Sequence, residues 1–540
     1  MSDNTNSNAM EILRRLAAQG VTARRLANDS RIVQPGDVFL AYPGHHMDGR
    51  AFMHDAVARG AAALICERSE KVGTPRVLPA GRAGETAEAE KFWGVPCIEV
   101  RDLAAQVGEF AHWVYGRPSE ELWLAGVTGT NGKTSVSQWL LQALTQLGQR
   151  CAVIGTLGNG FPGALRETGF TTPDALAVHA ALSDFVRDGA TACSMEVSSI
   201  GLAEDRVEGV RFDVAIFTNL TRDHLDYHGT MAAYGEAKAR LFAMPGLKAA
   251  VLNLDDPFAL LLADRVNAGV RKIGYTVESS PAGAEKVNEV LRAEQLHMTA
   301  TDLRFNLQGQ AFVAPVVGRF NASNLMAVIA VLVARGERLA DIAQALRHLQ
   351  SPAGRMQPVG GEGEPLVIVD YAHTPDALEK VLTVLRELAT TRGGKLTCVF
   401  GCGGERDAGK RPDMGAVAER LADKVVLTSD NPRHESAEAI INDILRGMKQ
   451  PPLEVVVEVQ RGLAITSAIK EAHASDVILL AGKGHEPYQE IAGVRHAFDD
   501  VTAAKSALVI RRQESALGVR RDGDFPAIST NSNSANGAVT

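Results

Sequence analysis

Short apolar runs alternate with helix-length amphipathic stretches through most of this chain, and few folds admit that alternation. From Glu121 onward the runs ELWLAGV, CAVIG, TACSMEV, FDVAIFTNL and AAVLNL are separated by stretches such as SVSQWLLQALTQLG and ALAVHAALSDFVRDG. The pattern predicts a parallel sheet with crossover helices, closing near the helix that contains Asn324. The same style returns later as PLVIVDYA, LTCVFGC, KVVLTSD, EVVVEV and DVILLAGKGHE, with helical patterns between them, which predicts a second doubly wound unit. Ahead of both, SRIVQPGDVFLAYPG and DGRAFMHDAVARGAAALICE read as a short strand, a turn, a strand, a helix and another strand. The expected fold is therefore α/β in three domains. A smaller N-terminal α/β domain spans 1–116, a central doubly wound parallel sheet 117–352, and a C-terminal Rossmann-like α/β domain 353–512. The stretch from Gly81 to Lys91 reads as a loop insertion, and the polar tail 513–540 is expected to be disordered.

The 540 residues are enough for about three domains with full cores. The net charge of −8 argues against a dedicated nucleic-acid or anionic-membrane surface. Membrane insertion is not expected, because the longest apolar candidate, Leu325 to Ala334, is too short to span. The N-terminus lacks the basic-then-apolar order of a secretory signal. Of the six cysteines, Cys66, Cys97, Cys193 and Cys398 lie in runs that read as strands. Buried free thiols in a reducing cytoplasm fit them. Cys398 and Cys402 stand four apart with no second pair at zinc-site spacing, so a metal or redox role is not expected of them.

The chemistry concentrates just past strand ends. GVTGTNGKTS, Gly126 to Ser135, follows an apolar strand and precedes a helix, which is the setting a phosphate-binding loop requires. Glycines let backbone N–H groups approach phosphate oxygens, and the helix N-terminus favours their charge. Lys133 is placed to reach the β/γ-phosphates and Thr134 to ligate Mg²⁺. The common form wants glycine five residues before Gly132, and Val127 stands there instead. Glu196 ends the run TACSME and suits a magnesium ligand beside such a loop. His224, Asp226 and His228 cluster after another strand, with Lys238 on the helix beyond. A lone histidine is more often structural, whereas a cluster at the C-terminal edge of a parallel sheet is more often a site. Asp370, His373 and Pro375 follow PLVIV, while GCGGERDAGKRP, SDNPRHE and AGKGHE carry Arg406, Lys410, Arg411, Arg433 and Lys483 toward one rim. Any one of these cations reads equally as solvated surface, but several at strand ends suggest an anion-handling cleft. The residues alone thus point to ATP with Mg²⁺ on a central P-loop domain, an anionic substrate, and a third domain closing over it. No Asn-Lys-x-Asp guanine-reading motif occurs.

Taken together and in this order, GTNGKT, EVSS, NLTRDHLDYHG, GRMQ, DYAHTPDAL, GCGGERDAGKRP, DNPR and GKGHE resemble the Mur ligase family over nearly the whole chain. Asp430 to Arg433 is similar to the motif by which some members recognise meso-diaminopimelate rather than lysine. The resemblance implies an ATP-dependent, amide-forming ligase of peptidoglycan precursor synthesis that is cytoplasmic and a monomer. Its substrates would be ATP, a UDP-muramoyl dipeptide and meso-diaminopimelate. Position by position, it implies that Asn28, Ser30, His45, His46 and Met47 hold the UDP part, and that Thr171, Thr172, Ser198, Glu204 and Arg206 hold the dipeptide. Gly129, Thr130, Asn131, Gly132, Lys133, Thr134 and Ser135, with Asn324, Arg355, Asp370 and His373, would touch the nucleotide. Thr134, Glu196, His224 and Lys238, the last as a carbamate, would hold Mg²⁺, and Lys133, Lys238 and His224 would be catalytic. Arg411, Asp430, Asn431, Pro432, Arg433, Gly482 and Glu486 would form the diaminopimelate pocket. Two positions depart from relatives: Ile200 stands where some carry His, and Glu204 where some carry Gln, an added charge that Arg206 could offset. The competing readings are an L-lysine-adding ligase, a folylpolyglutamate synthase-like ligase, and a nucleotide-regulated binding protein without ligase activity.

Overall fold

The computed structural model describes residues 3–44, 47–68, 91–279, 281–299, 302–361, 363–449 and 454–516. His45, His46, residues 81–90 of the expected insertion and residues 517–540 of the expected tail lie outside these. Lys91, the last residue of that insertion, opens the strand Lys91–Phe92. The chain forms two compact units, Met1–Arg355 and Met356–Thr540.

The first unit holds two α/β cores. Its N-terminal sheet orders the strands Leu26–Ala27, Val38–Ala41, Ala63–Glu67, Val95–Val100 and Lys91–Phe92. All its pairings are parallel except the last. One expectation fails here. SRIV does not form a strand, because Ser30–Ile32 is a 3₁₀ turn. Asp29 caps it by accepting from Arg31 N at 2.9 Å, so the side chain competes with extended pairing.

The central sheet has nine strands, in the order Glu289–Arg292, Arg271–Thr276, Ala249–Asn253, Val214–Phe217, Trp123–Thr128, Ala192–Glu196, Cys151–Ile154, Asn159–Phe161, Ala164–Arg166. The strands from Glu289–Arg292 through Cys151–Ile154 are parallel, as expected. The physical basis is burial of both faces. Val214 and Ile216 enter one core while Ala215 and Phe217 enter the other, and Val251 and Leu252 divide the same way. Such strands read as continuous apolar runs. Two short antiparallel strands extend the far edge, and Glu294–Met298, Leu303–Leu307 and Gln310–Ala314 form a separate antiparallel sheet. Neither carries the long apolar runs that reveal buried strands. The run Leu325 to Ala334 lies in the helix Arg319–Arg335, buried against the sheet. Among the described residues no helix is long and apolar enough to cross a membrane.

The helix Leu103–Val114 joins the two cores at close range. A Cβ on Gly108 would stand 2.0 Å from Glu208 O, so only glycine fits. Beside it Arg211 pairs with Glu109 at 2.9 Å, and the His112 and His179 rings lie 5.8 Å apart. His179 is fully buried and donates from Nε2 to Glu208 O at 2.9 Å, while its Nδ1 has no partner. Burial holds its pKa down to about 4. In the unfolded chain the imidazole protonates near 6.5. Stability from this site is therefore complete above pH about 6.5 and drains as pH falls toward 4, by on the order of 3 kcal/mol. His179→Asn should flatten the loss in urea midpoint between pH 7.5 and 5. Equal slopes for both proteins would remove His179 as the cause.

The second unit is built on one sheet. Its order is Gln357–Val359, Leu366–Asp370, Val477–Ala481, Leu396–Phe400, Lys424–Leu427, Glu454–Val457, with only the first pairing antiparallel. The helix Pro375–Arg392 starts with Thr374 accepting from Ala377 N at 3.3 Å and proline at the first turn, which needs no N–H donor. The hairpin Tyr488–Ile491/Val494–Ala497 follows the last core strand and was not legible as a sheet element. All six cysteines are buried and unpaired, and Cys151 also lies in a strand.

Candidate active site

In the central sheet the strand Trp123–Thr128 is flanked by Ala192–Glu196 on one side and Val214–Phe217 on the other. The chain leaves it in opposite directions, so a crevice opens outside these strands' C-terminal ends. The loop Gly129–Gly132 sits there and leads into the helix Lys133–Gln146. Gly129 has φ 148°, and a Cβ on it would stand 1.9 Å from Thr218 Oγ1. Gly132 has φ 88°, and a Cβ would lie 2.3 Å from Asn324 Oδ1. Both positions therefore require glycine. Thr218 Oγ1 and Asn219 Nδ2 donate to Asn131 O at 2.6 and 3.2 Å, and Asn131 N donates to Asn219 Oδ1 at 2.9 Å. Thr130 Oγ1 lies 3.1 Å from Tyr234 OH. The loop is thus fixed by side chains from the neighbouring strand end and from the helix Met231–Ala239.

Lys133 Nζ donates to Gly129 O at 2.8 Å and Thr130 O at 2.9 Å. Desolvation pushes its pKa down, opposed by Glu196 and Asp223. Glu196 is fully buried and central to the site. It accepts from Thr134 Oγ1 at 3.0 Å, Thr156 N at 2.9 Å and Thr156 Oγ1 at 3.0 Å. Arg355 Nη2 donates to Thr134 Oγ1 at 3.2 Å.

The same crevice gathers the residues expected to hold the dipeptide. Thr171 Oγ1 is 3.0 Å from Thr156 Oγ1, and Thr172 Oγ1 donates to Glu196 O at 3.0 Å. Ser198 caps a short helix by accepting from Gly201 N at 2.9 Å. Arg206 donates to Thr172 O at 2.8 Å and makes a two-pronged pair with Glu204 at 2.6 and 2.9 Å. The added carboxylate of Glu204 is therefore met by Arg206, and Tyr227 OH also donates to it at 3.3 Å. Ile200 has no polar group to contribute.

Lys238 is 1 % exposed, with Nζ 4.3 Å from the centre of the Tyr234 ring. Burial first and Lys133 second push its pKa well down, against Asp223. His224 has φ 52° at the start of a helical turn, and its Nε2 lies 3.5 Å from Asp223 Oδ2. Its pKa falls through partial desolvation, opposed by Asp223 and reinforced by Lys133 and Lys238. Asp223, which the sequence reading passed over in favour of Asp226, is thus the acid that acts on both lysines. Asp226 is exposed. Thr156, Thr218 and Asn219 were also missed. Each follows a strand end, the same signal that exposed Glu196. His228 lies 3.0 Å from Ser199 Oγ.

Among the described residues no group of three or more His, Cys, Asp or Glu is placed to hold a metal ion. That composition still fits Mg²⁺, which takes one or two protein oxygens and completes its shell with phosphate and water. Thr134 Oγ1 and Glu196 Oε2 are hard oxygen donors in contact with each other.

Two further groups of expected residues stand on other elements. Asn28 donates to Tyr42 OH at 3.1 Å on the N-terminal sheet, where Ser30 is buried and Met47 exposed. Asp370 and His373 belong to the second unit. Asp370 accepts from Met356 N at 2.7 Å and Ala372 N at 2.8 Å, and His373 Nδ1 is 2.9 Å from Tyr371 O.

The residues expected to take the amino acid lie within the second unit. Arg433 has φ 54° and donates from Nη1 to Gly404 O at 2.6 Å, with Nε 3.7 Å from Glu490 Oε2. Asn431 Nδ2 donates to Glu486 Oε2 at 2.7 Å. Pro432 O approaches Gly404 so closely that a Cβ there would stand 2.0 Å away. Asp430 is buried, and Gly482 has φ 108° with a would-be Cβ 2.4 Å from Asp430 Oδ2. Burial and Asp430 raise the Glu486 pKa. Arg411 is buried but already paired, with Glu435 at 2.9 Å and Asp443 at 3.0 Å. Lys410 precedes it at the start of the helix Lys410–Leu421, and Arg406 is exposed on the loop before that helix.

The family model for the Mur ligase family catalytic domain matches residues 22–115, the Mur ligase middle domain 127–332, and the Mur ligase glutamate ligase domain 354–484. The UDP-N-acetylmuramoyl-L-alanyl-D-glutamate–2,6-diaminopimelate ligase of Pseudomonas aeruginosa is 50% identical over 496 residues, covering 91% of this chain and 96% of that protein. A solved structure of a ligase of the same name is 36% identical with a TM-score of 0.63, over 91% of this chain and 96% of that one. The Thermotoga maritima MurF ligase in complex with ADP shares the fold, with a TM-score of 0.60 at 19% identity, over 91% of this chain and 99% of that one. Three models falling in order on three α/β cores, and relatives alike from end to end, establish that this chain belongs to the Mur ligase family.

Proposed function

We propose that this protein is the ATP-dependent ligase that joins meso-diaminopimelate to UDP-N-acetylmuramoyl-L-alanyl-D-glutamate, an amide-forming step of peptidoglycan precursor synthesis. Membership of the family and half-identical relatives bearing that name support the reaction. The single observation that carries the site is the contact of Glu196 with both Thr134 and the Thr156–Thr171 pair. It supports reading the Gly129–Gly132 loop and the residues proposed to hold the acid substrate as one site.

A free carboxylate is a poor electrophile at neutral pH. The D-glutamyl γ-carboxylate therefore takes the γ-phosphoryl group of ATP, releasing ADP. The amine of diaminopimelate adds to the resulting acyl phosphate, loses a proton and expels phosphate. Gly129 to Ser135, with Asn324 and Arg355, would cradle the nucleotide, and Asp370 and His373 would contact it from the second unit. Lys133 would face the charge that develops on the transferring group, and the fixed loop means little reorganisation is needed. Bound Mg²⁺ would neutralise phosphate charge. Thr134 and Glu196 would hold one such ion, with His224 and carbamylated Lys238 at a second. Thr171, Thr172, Ser198 and Arg206 would orient the dipeptide, with Glu204 steering Arg206, and Asn28, Ser30, His45, His46 and Met47 would hold the UDP end. Domain limits at 116/117, 352/353 and 512/513, a monomeric state and a cytoplasmic location complete the proposal.

In the second unit Arg433 would grip the amino acid's distal carboxylate as a planar fork. Asp430 and Glu486 would take its ammonium, and Arg411 would brace the loop through Glu435 and Asp443. L-Lysine lacks that carboxylate. Leaving Arg433 without it would cost about 1–3 kcal/mol, roughly five- to 150-fold in specificity. Phosphate release with the UDP-dipeptide should appear with meso-diaminopimelate, be weak with L-lysine, and be absent without an amino acid. Equal release with lysine would favour the lysine-adding alternative, and release with a folate substrate the other. Arg433→Lys, which replaces a fork by a point charge, should raise the diaminopimelate KM at least about tenfold and leave the ATP KM nearly unchanged. Parallel changes in both would remove Arg433 from the pocket.

A further inference from the structure

We propose that Lys483 is the positioning residue of the diaminopimelate pocket, fixing the Asn431 carboxamide and the Glu486 carboxylate relative to each other. This rests on the function proposed above. Lys483 follows the strand Val477–Ala481 by two residues, in the sequence AGKGHE. Its side chain is 0% exposed. An ammonium removed from water must find acceptors. It finds Asn431 Oδ1 at 3.1 Å and Glu486 Oε2 at 3.2 Å. The Asn431 Nδ2–Glu486 Oε2 bond at 2.7 Å closes a three-sided ring.

The ring reaches both ends of the pocket. Asn431 Oδ1 also accepts from Glu490 N at 3.0 Å, so two donors fix the amide's orientation. Glu490 in turn faces Arg433 Nε at 3.7 Å. The proposed carboxylate grip and the proposed ammonium grip are therefore joined through one buried cation. The loop cannot drift at its base, because Arg461 Nη2 donates to Ala481 O at 2.9 Å while pairing with buried Asp500 at 2.6 Å.

The charges facing Glu486 come from several elements. Asp430 lies past the strand Lys424–Leu427, Tyr488 on the hairpin, Arg461 on the helix Arg461–Glu471, and Lys483 on its own loop. Burial and Asp430 favour protonation of Glu486, and Lys483 opposes them. Without Lys483 the carboxylate should protonate at a higher pH and lose its hold on a substrate ammonium there.

The test is steady-state kinetics on the full chain with the UDP-dipeptide, ATP and meso-diaminopimelate. Lys483→Met should raise the diaminopimelate KM at least tenfold while the ATP KM moves less than twofold. Its diaminopimelate KM should begin to climb at a higher pH than wild type as the medium is acidified. Lys483→Arg, keeping the charge, should recover part of the loss. In a Glu486→Gln background, Lys483→Met should add less than threefold, because a residue acting through Glu486 has little left to act on. Should the Met variant not fold, Lys483→Gln, which keeps a donor toward Asn431, reads the same pH profile. Equal effects on both KM values, an unshifted profile, or full additivity with Glu486→Gln would overturn the role of Lys483. Wild-type protein that releases no phosphate on addition of diaminopimelate would overturn the ligase reading itself, and this one with it.

Discussion

Lys133→Ala should lower diaminopimelate-dependent phosphate release by about 10³-fold or more, the range seen when a cation facing a transferring phosphoryl group is removed. That loss corresponds to roughly 4 kcal/mol of transition-state stabilisation. The geometry separates this effect from a folding defect. The loop is held by Thr218 and Asn219 through Asn131, and by Thr130 against Tyr234, none of which involves the lysine side chain. What the variant loses locally is two hydrogen bonds from Nζ to carbonyls of its own loop. Thermal stability and binding of the UDP-dipeptide, measured by calorimetry, should therefore stay close to wild type while turnover collapses. Near-normal turnover would end the assignment of the loop to ATP.

Lys238 carries the second large effect. Its amine is buried, stacked over Tyr234 and close enough to Lys133 to feel it. Burial and Lys133 favour the neutral amine against Asp223 and the Tyr234 ring face, and only the neutral amine attacks CO₂. The product would be an anion, formed with loss of a proton, and Lys133 and His224, which already interact electrostatically with Lys238, would stabilise it. Lys238→Ala should reduce turnover by about 10²–10³-fold, as expected for removing a charged group that organises a phosphoryl-transfer site. Stripping CO₂ from wild-type protein should lower activity, and bicarbonate should restore it. The sign of the pH effect follows from the depressed pKa. Above it the amine is neutral and carbamylation would proceed, and as pH falls through it the ammonium should return and activity should be lost. A short carboxylic acid should rescue part of the alanine variant's activity and none of the wild type's. Activity indifferent to CO₂, with no rescue, would leave Lys238 as an ordinary buried lysine.

The legible parts of this protein share one property: local sequence was enough to state them. The strands of the central sheet could be read because both faces are buried, so Val214–Phe217 is apolar throughout and Ala249–Asn253 is apolar up to its last residue. The glycine turn ahead of the helix Lys133–Gln146 could be read because its glycines and Lys133 are adjacent in sequence. Where local competition decides, reading failed. SRIV looks extended, yet the Asp29 side chain converts Ser30–Ile32 into a 3₁₀ turn. The antiparallel strands within 159–166 and 294–314 bury one face at most and so lack the continuous apolar signal.

Sequence alone determined the α/β class, the strand-end placement of Lys133, Glu196, His224 and Arg433, and the family. It did so because each depends on neighbours within one turn or one strand, or on motif order along the chain. Only the tertiary structure decided which charges meet. Arg411 is taken up by Glu435 and Asp443, Asp223 rather than Asp226 faces the two lysines, Thr156 reaches Glu196 from forty residues away, and Lys483 ties Asn431 to Glu486. A buried charge takes whatever partner the packing brings within about 3 Å, and packing is set by residues far apart in the chain.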